Sequence, residues 1–170
     1  PHLLDYVRRN LKMMRYLLHA NGEVVTDYSG RQDYGVVHDL SGYYLVLRVM
    51  ASLDRDPLLA TMHDLALEKL TDLGPVNHHA LLGSLIFPSR LEEVAREPLP
   101  DEYAVILNEH HPVERDLERM KQVGHHGQIE HSSMHTSFGA PVARIRKGRT
   151  SATVMARNAS FFSLHHGEVK

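Results

Sequence analysis

The sequence predicts an α+β chain, helical through its first hundred residues and ending in antiparallel strands. Three observations predict it. Apolar side chains recur at helical spacing from Leu3 to Leu73. Prolines 98 and 100 break that pattern. After Pro141 the apolar period drops to two, with tight-turn residues between the alternating runs.

The elements follow in order. Leu3, Val7, Leu11, Met14 and Leu18 form one apolar stripe, so a helix is expected over 2–20. Asn21-Gly22 suits its stop, because both residues tolerate the left-handed conformation. A loop, "EVVTDYSGRQDYGVVHD", comes next. Leu40, Tyr43, Tyr44, Leu47 and Ala51 mark a second helix over 40–53. Asp56-Pro57 reads as the cap and first residue of a third, striped by Leu59, Met62, Ala66, Leu70 and Leu73. Gly74-Pro75 ends it. A short helix is expected around His79–Phe87, and the capping box Ser89-Arg90-Leu91-Glu92 starts another. Tyr103–Leu107 is a β-type run. Residues 113–123 suit a short polar helix, and 124–139, rich in Gly, His and Ser, an irregular loop.

Three strands close the chain. Ala143 and Ile145 alternate with Arg144 and Arg146; Thr150, Ala152, Val154 and Ala156 alternate with Ser151, Thr153 and Met155; Ser160–His165 is the third. Lys147-Gly148 and Asn158-Ala159 supply the tight turns. Three short strands leave an edge and a face unsatisfied. The face with Ile145, Val154, Leu164 and Phe161 or Phe162 needs a partner layer, which the preceding helices could provide or, more naturally, further strands after Lys170. The chain reads as an interior piece of a longer protein, and a start at Pro1 would hide any upstream leader. Its expected divisions are a helical part, 1–97, an irregular linker, 98–141, and the start of a β domain, 142–170.

Composition narrows the function. A net charge of -2 over 170 residues argues against a nucleic-acid or membrane-surface footprint. Cysteine is absent, which excludes disulfides, zinc-thiolate sites and thiol nucleophiles. The best apolar run, Tyr43–Leu53, is too short to span a membrane and is broken by Arg48. Histidine is abundant at 14 copies, eight of them in adjacent pairs at irregular intervals.

Helical pairs leading into antiparallel strands resemble the layout of the heparinase II/III-like polysaccharide lyases. "NGEVVTDYSGRQDYG" (Asn21–Gly35) looks like the inter-helix loops late in that family's helical domain. "TSFGAPVARIRKGRTSATVMARNASFFSLHHGEV" (Thr136–Val169) is similar to the opening strands of its β domain. The resemblance covers most of the chain at the level of layout. It implies antiparallel helical pairs of an (α/α) toroid, followed by the first strands of an antiparallel β-sandwich. It also implies β-elimination on an acidic, uronate-containing polysaccharide or oligosaccharide, in the periplasm or outside the cell. Without the lyase reading, a cytoplasmic location is expected.

Elimination needs the sugar carboxylate neutralised, a base for the C5 proton and an acid for the leaving oxygen. Tyr28, Arg31, Tyr34 and His38 bring suitable residue types into one inter-helix loop. A tyrosine needs a nearby cation to serve as the base. The alternative is structural: an Arg31–Asp33 ion pair, with tyrosines packed on neighbouring helices. A second constellation, His125, His126, His131 and His135 with Glu130, offers imidazoles for a divalent metal, zinc or calcium. The alternative there is a solvated polar loop, since the histidines lack fixed spacing. His165 and His166 must face opposite sides of a strand. Two other classes stay open. One is a non-catalytic carbohydrate-binding or assembly module that self-associates. The other is a glycoside hydrolase, which needs a carboxylate pair such as Asp27 and Asp33 with Glu23 nearby.

Overall fold

The computed structural model describes residues 2–25, 40–72, 82, 86, 91–107, 112–114, 142–155 and 162–167. Among them are three α-helices: α1 (His2–Met14), α2 (Tyr44–Asp54) and α3 (Pro57–Asp72). Five strands, β1 (Glu102–Leu107), β2 (Pro112–Glu114), β3 (Val142–Lys147), β4 (Thr150–Met155) and β5 (Phe162–His166), form one sheet in the order β2-β1-β3-β4-β5. Every neighbouring pair is antiparallel. The class is α+β.

The chain divides into two compact units. One contains α1, the segment after it to Asn21, and all five strands. The other contains α2, α3, the 3₁₀ turn Leu40–Tyr43 and residues 91–99. Chain order alone groups α1 with the later helices; in the fold it belongs with the sheet. The stretch 98–141, expected to be an irregular linker, contributes β1 and β2. Pro112–Glu114 is strand, so the polar helix expected over 113–123 does not begin there. Among the described residues the sheet therefore has five strands, where the sequence offers three at its C-terminal end and one β-type run at Tyr103–Leu107.

In the helical unit, the apolar faces of α2 and α3 pack together, burying Tyr44, Leu47, Met50, Leu59, Met62 and Ala66. α2 stops at Arg55, which takes the left-handed conformation (φ 53) and donates its N–H to the carbonyl of Ala51. The next residue starts α3. The Asp56 carboxylate accepts from the N–H groups of Leu58 (2.9 Å) and Leu59 (3.1 Å), satisfying donors that a helix start leaves open. Residues 91–97 are strapped to α3 at Thr61. Its hydroxyl donates to the Glu97 carbonyl at 2.6 Å and accepts from the Glu97 N–H at 3.1 Å. The helix expected around 79–87 lies almost wholly outside the described residues. The capping box is followed by one 3₁₀ turn, Leu91–Glu93.

In the sheet unit, α1 ends at Met14, short of the expected Asn21-Gly22 stop, and the chain continues in tight turns through Tyr16 and Leu17. Gly22 does adopt a left-handed conformation (φ 84). The hairpin joining β3 to β4 is a two-residue turn, with Lys147 paired to Thr150 and Gly148 at φ 56 in the first central position, as a type II′ turn requires.

Cross-strand register assigns the two faces. Tyr103, Arg146, Ser151 and His165 share one row, and Val105, Arg144, Thr153 and Ser163 the next; both rows are on the same face. Arg144, Ser151, Thr153 and His165 are buried there. The opposite face carries Ile145, Ala152, Val154, Leu164 and Phe162. Its β4–β5 end is open, with Val154 39%, Leu164 50% and Phe162 60% exposed. The strand alternation is thus as read, and the face holding Ile145, Val154 and Leu164 does lack a cover over β4 and β5. The arginine-bearing face is the deeply buried one.

Candidate functional site

Tyr28, Arg31, Tyr34 and His38 lie outside the described residues, as do His125, His126, His131 and His135 and the carboxylates Asp27, Asp33 and Glu130. Among the described residues no three His, Asp or Glu side chains converge in a way that could hold a metal ion. Two polar clusters are built from other residues, one in each unit.

The first covers the buried face of the sheet. Arg144 is fully buried at the centre of β3. Its Nε donates to the Tyr16 carbonyl (3.0 Å) and Nη2 to the Leu18 carbonyl (3.2 Å). Nη1 donates to Thr153 Oγ1 (2.7 Å) and to the Ala152 carbonyl (3.2 Å). A guanidinium loses its hydration when buried and must recover those bonds inside the protein. Here the bare carbonyls just beyond α1 provide two acceptors, and a cation suits that negative end of the helix. Tyr103 adds its hydroxyl to the same Tyr16 carbonyl at 3.1 Å, and the two tyrosine rings meet edge to face with centroids 5.0 Å apart.

Beside this fork, His19 and His165 stack, centroids 3.7 Å apart and planes 20° from parallel. His19 Nδ1 and the Ser151 hydroxyl share a hydrogen bond of 3.1 Å. A serine bonded to an imidazole has the residue types of an activated nucleophile. Both groups are buried, however, so no substrate reaches Ser151 in this arrangement. The adjacent His166 faces the other way, exposed, and bonds Thr150 Oγ1 through Nδ1 at 2.8 Å. The strand alternation of His165 and His166 is as expected.

The second cluster sits in the helical unit. His63 on α3 is buried with its ring 4.8 Å from that of Tyr44 on α2. Its Nδ1–H donates to Asp64 Oδ1 at 3.1 Å, while Nε2 is buried without a hydrogen-bond partner. Asp64 also receives Arg96, from Nε at 2.6 Å and Nη2 at 3.3 Å. Arg96 Nη1 donates to the carbonyls of Leu91, at 3.0 Å, and Val94. Burial pushes the His63 pKa below the ordinary imidazole value, and Arg48 and Arg96 push the same way; the bond to Asp64 opposes them. The Arg96 hydrogen bond holds Asp64 below the usual carboxylate range, and Asp64 in turn raises Arg96.

The sequence reading missed both clusters. Arg144 gave no local signal, because its main-chain acceptors Tyr16 and Leu18 are more than a hundred residues away. His63 did give one: Leu59, His63 and Ala66 are spaced as one helical stripe, which places an imidazole among apolar side chains. No protein-family model, no curated protein and no solved structure matches the chain.

Proposed function

We propose that the chain belongs to a carbohydrate-active enzyme that cleaves an acidic, uronate-containing glycan by β-elimination, with the helices forming part of an (α/α) toroid and the sheet opening a β-sandwich. The observation that carries this reading is the sheet's outer face. Phe162, Leu164 and Val154 stay substantially exposed on an antiparallel sheet whose other face buries Arg144, Ser151, Thr153 and His165. A sheet with one buried face and one apolar open face is what a sandwich layer offers to its partner sheet. A helical unit within the same chain completes the layout of the heparinase II/III-like lyases. The chemistry rests on the loop residues Tyr28, Arg31, Tyr34 and His38. Arg31 would neutralise the substrate carboxylate and lower the tyrosine pKa. A tyrosine or His38 would move the C5 proton.

A non-catalytic carbohydrate-binding or assembly module is the second reading. Arg144, Ser151 and His19 favour it, because these chemically capable groups are buried in bonds that hold the fold together.

The test is an absorbance assay for unsaturated uronate against a panel of acidic glycans, using the intact protein that contains this chain. Tyr28→Phe, Tyr34→Phe and His38→Ala are assayed beside it. Loss of one acid–base group lowers turnover by about 10²–10⁴-fold. Parental activity in all three variants returns the loop to a structural role. New reducing ends without unsaturated product replace elimination with hydrolysis, and no cleavage of any glycan leaves the binding module.

A further inference from the structure

We propose that His63 is an acid-sensitive latch: protonation of its buried imidazole loosens residues 91–97 from α3. The inference concerns the helical unit alone and does not depend on the glycan reading.

The geometry has three parts. His63 Nε2 is enclosed and has no hydrogen-bond partner, so a proton placed there has no acceptor. The other ring nitrogen is committed to Asp64, so the ring cannot exchange one nitrogen for the other without breaking that bond. And Asp64 is the same carboxylate that holds Arg96, whose Nη1 closes the 91–96 turn on the carbonyls of Leu91 and Val94. One side chain therefore serves both the titrating ring and the strap.

The charged and titratable groups around the ring are Asp64 on α3, Arg48 on α2 and Arg96 on the strap, with the Tyr44 ring against it. Two of the three charges are cations. Arg48 Nε is itself buried without a partner. An imidazolium at position 63 thus adds a third positive charge beside one carboxylate already engaged by Arg96, and it competes with Arg96 for that carboxylate. Loss of the Arg96–Asp64 contact relieves that crowding of cations. The Thr61–Glu97 pair contains no titrating group, so a pH response at the Glu97 amide has to come through the Arg96–Asp64 contact.

The sign follows from linkage. Burial favours the neutral ring, so on acidification the unfolded or opened state takes up the proton first. The latch is fully closed above pH 6.5, the ordinary imidazole value, and weakens as pH falls from there to the lowered folded-state value. Over that interval the closed-to-open ratio drops by up to about tenfold per pH unit for one proton. Asp64 titrates in a separate window, below its ordinary value of 3.8, so the two groups are distinguishable.

The experiment is an NMR titration of the His63 ring in the full chain between pH 7.5 and 4.5. It is combined with amide exchange at Val94 and Glu97, corrected for the intrinsic pH dependence of exchange, in the parent and in His63→Phe. The expected result is a His63 midpoint below 6.5, exchange at both amides that rises in the parent with that midpoint, and no such rise in His63→Phe. A His63 midpoint at or above 6.5 overturns the proposal, as does exchange that ignores pH. If His63→Phe does not fold, the parent titration and exchange profile decide alone: coincident midpoints support the latch, and separate midpoints reject it.

Discussion

The guanidinium of Arg144 reaches across 128 residues of sequence to donate, at 3.0 Å, to the main-chain carbonyl of Tyr16. That bond, with its companion to Leu18, ties the segment after α1 to the middle of the sheet. Removing the side chain takes the donor from the Leu18 carbonyl and the Thr153 hydroxyl and leaves the Tyr16 carbonyl with Tyr103 alone, in a buried site. A hydrogen bond to a charged group is worth about 1.5–3 kcal/mol. Arg144→Ala should therefore cost at least about 3 kcal/mol, read as a lower denaturant midpoint. Arg144→Lys should recover little, because an ammonium cannot span the same acceptors as a planar fork.

Tyr103→Phe isolates a smaller part of the same arrangement. It keeps the edge-to-face contact with Tyr16 and removes only the hydroxyl on the Tyr16 carbonyl. The expected loss is about 1 kcal/mol. Combined with Arg144→Ala, the two losses should fail to add, since both side chains serve one oxygen.

Asp56→Ala tests the start of α3. Two N–H groups lose their acceptor, and the expected cost is about 1 kcal/mol. Asp56→Asn should retain most of it, because an amide oxygen caps nearly as well. Circular dichroism during urea unfolding is the readout.

The outer face of the sheet should make the isolated chain self-associate. Phe162 and Leu164 project from β5, a strand at one edge of the sheet, beside Val154 on β4. An open apolar face on an edge strand is a site for association. Light scattering should show mass rising with concentration, and Phe162→Glu with Leu164→Lys should suppress the rise. A monomer at every concentration would refute this.

What could be read in advance depended on how far each signal reached along the chain. The α3 start was legible because its cap, Asp56, and its N1 proline are consecutive, and the bonds it makes span two and three residues. The β3–β4 hairpin was legible for the same reason, through Gly148, although its central residues are Gly148 and Arg149 and not Lys147 and Gly148. β1 was visible as a short β-type run at Tyr103–Leu107, but its place in the sheet beside β3 was not, since that pairing joins residues some forty positions apart. The end of α1 was misplaced by several residues because the apolar stripe runs on to Leu18, while the carbonyls of Tyr16 and Leu18, past Met14, are taken by Arg144 and Tyr103 instead of by a further helical turn. Alternation separated the two faces of β3 without telling which is buried: Arg144 is charged, and only its distant acceptors make it a core residue. His63 lay on a readable apolar stripe, and burial is the main cause of its lowered pKa; Arg96, which shares its Asp64 partner, is 33 residues on and left no local signal.

The order of the two units along the chain has a consequence for biosynthesis. The helical unit is nearly continuous in sequence, from Val37 to Leu99, whereas the sheet unit is split around it. As the polypeptide emerges from the ribosome, α2 and α3 can pair as soon as both have been made. The carbonyls of Tyr16 and Leu18, by contrast, appear early and wait in solvent until Arg144 has been translated. The segment through Leu18 thus acquires its fixed position last, and a nascent chain stalled before residue 144 should hold a protected helical unit while residues 2–21 are still open to protease.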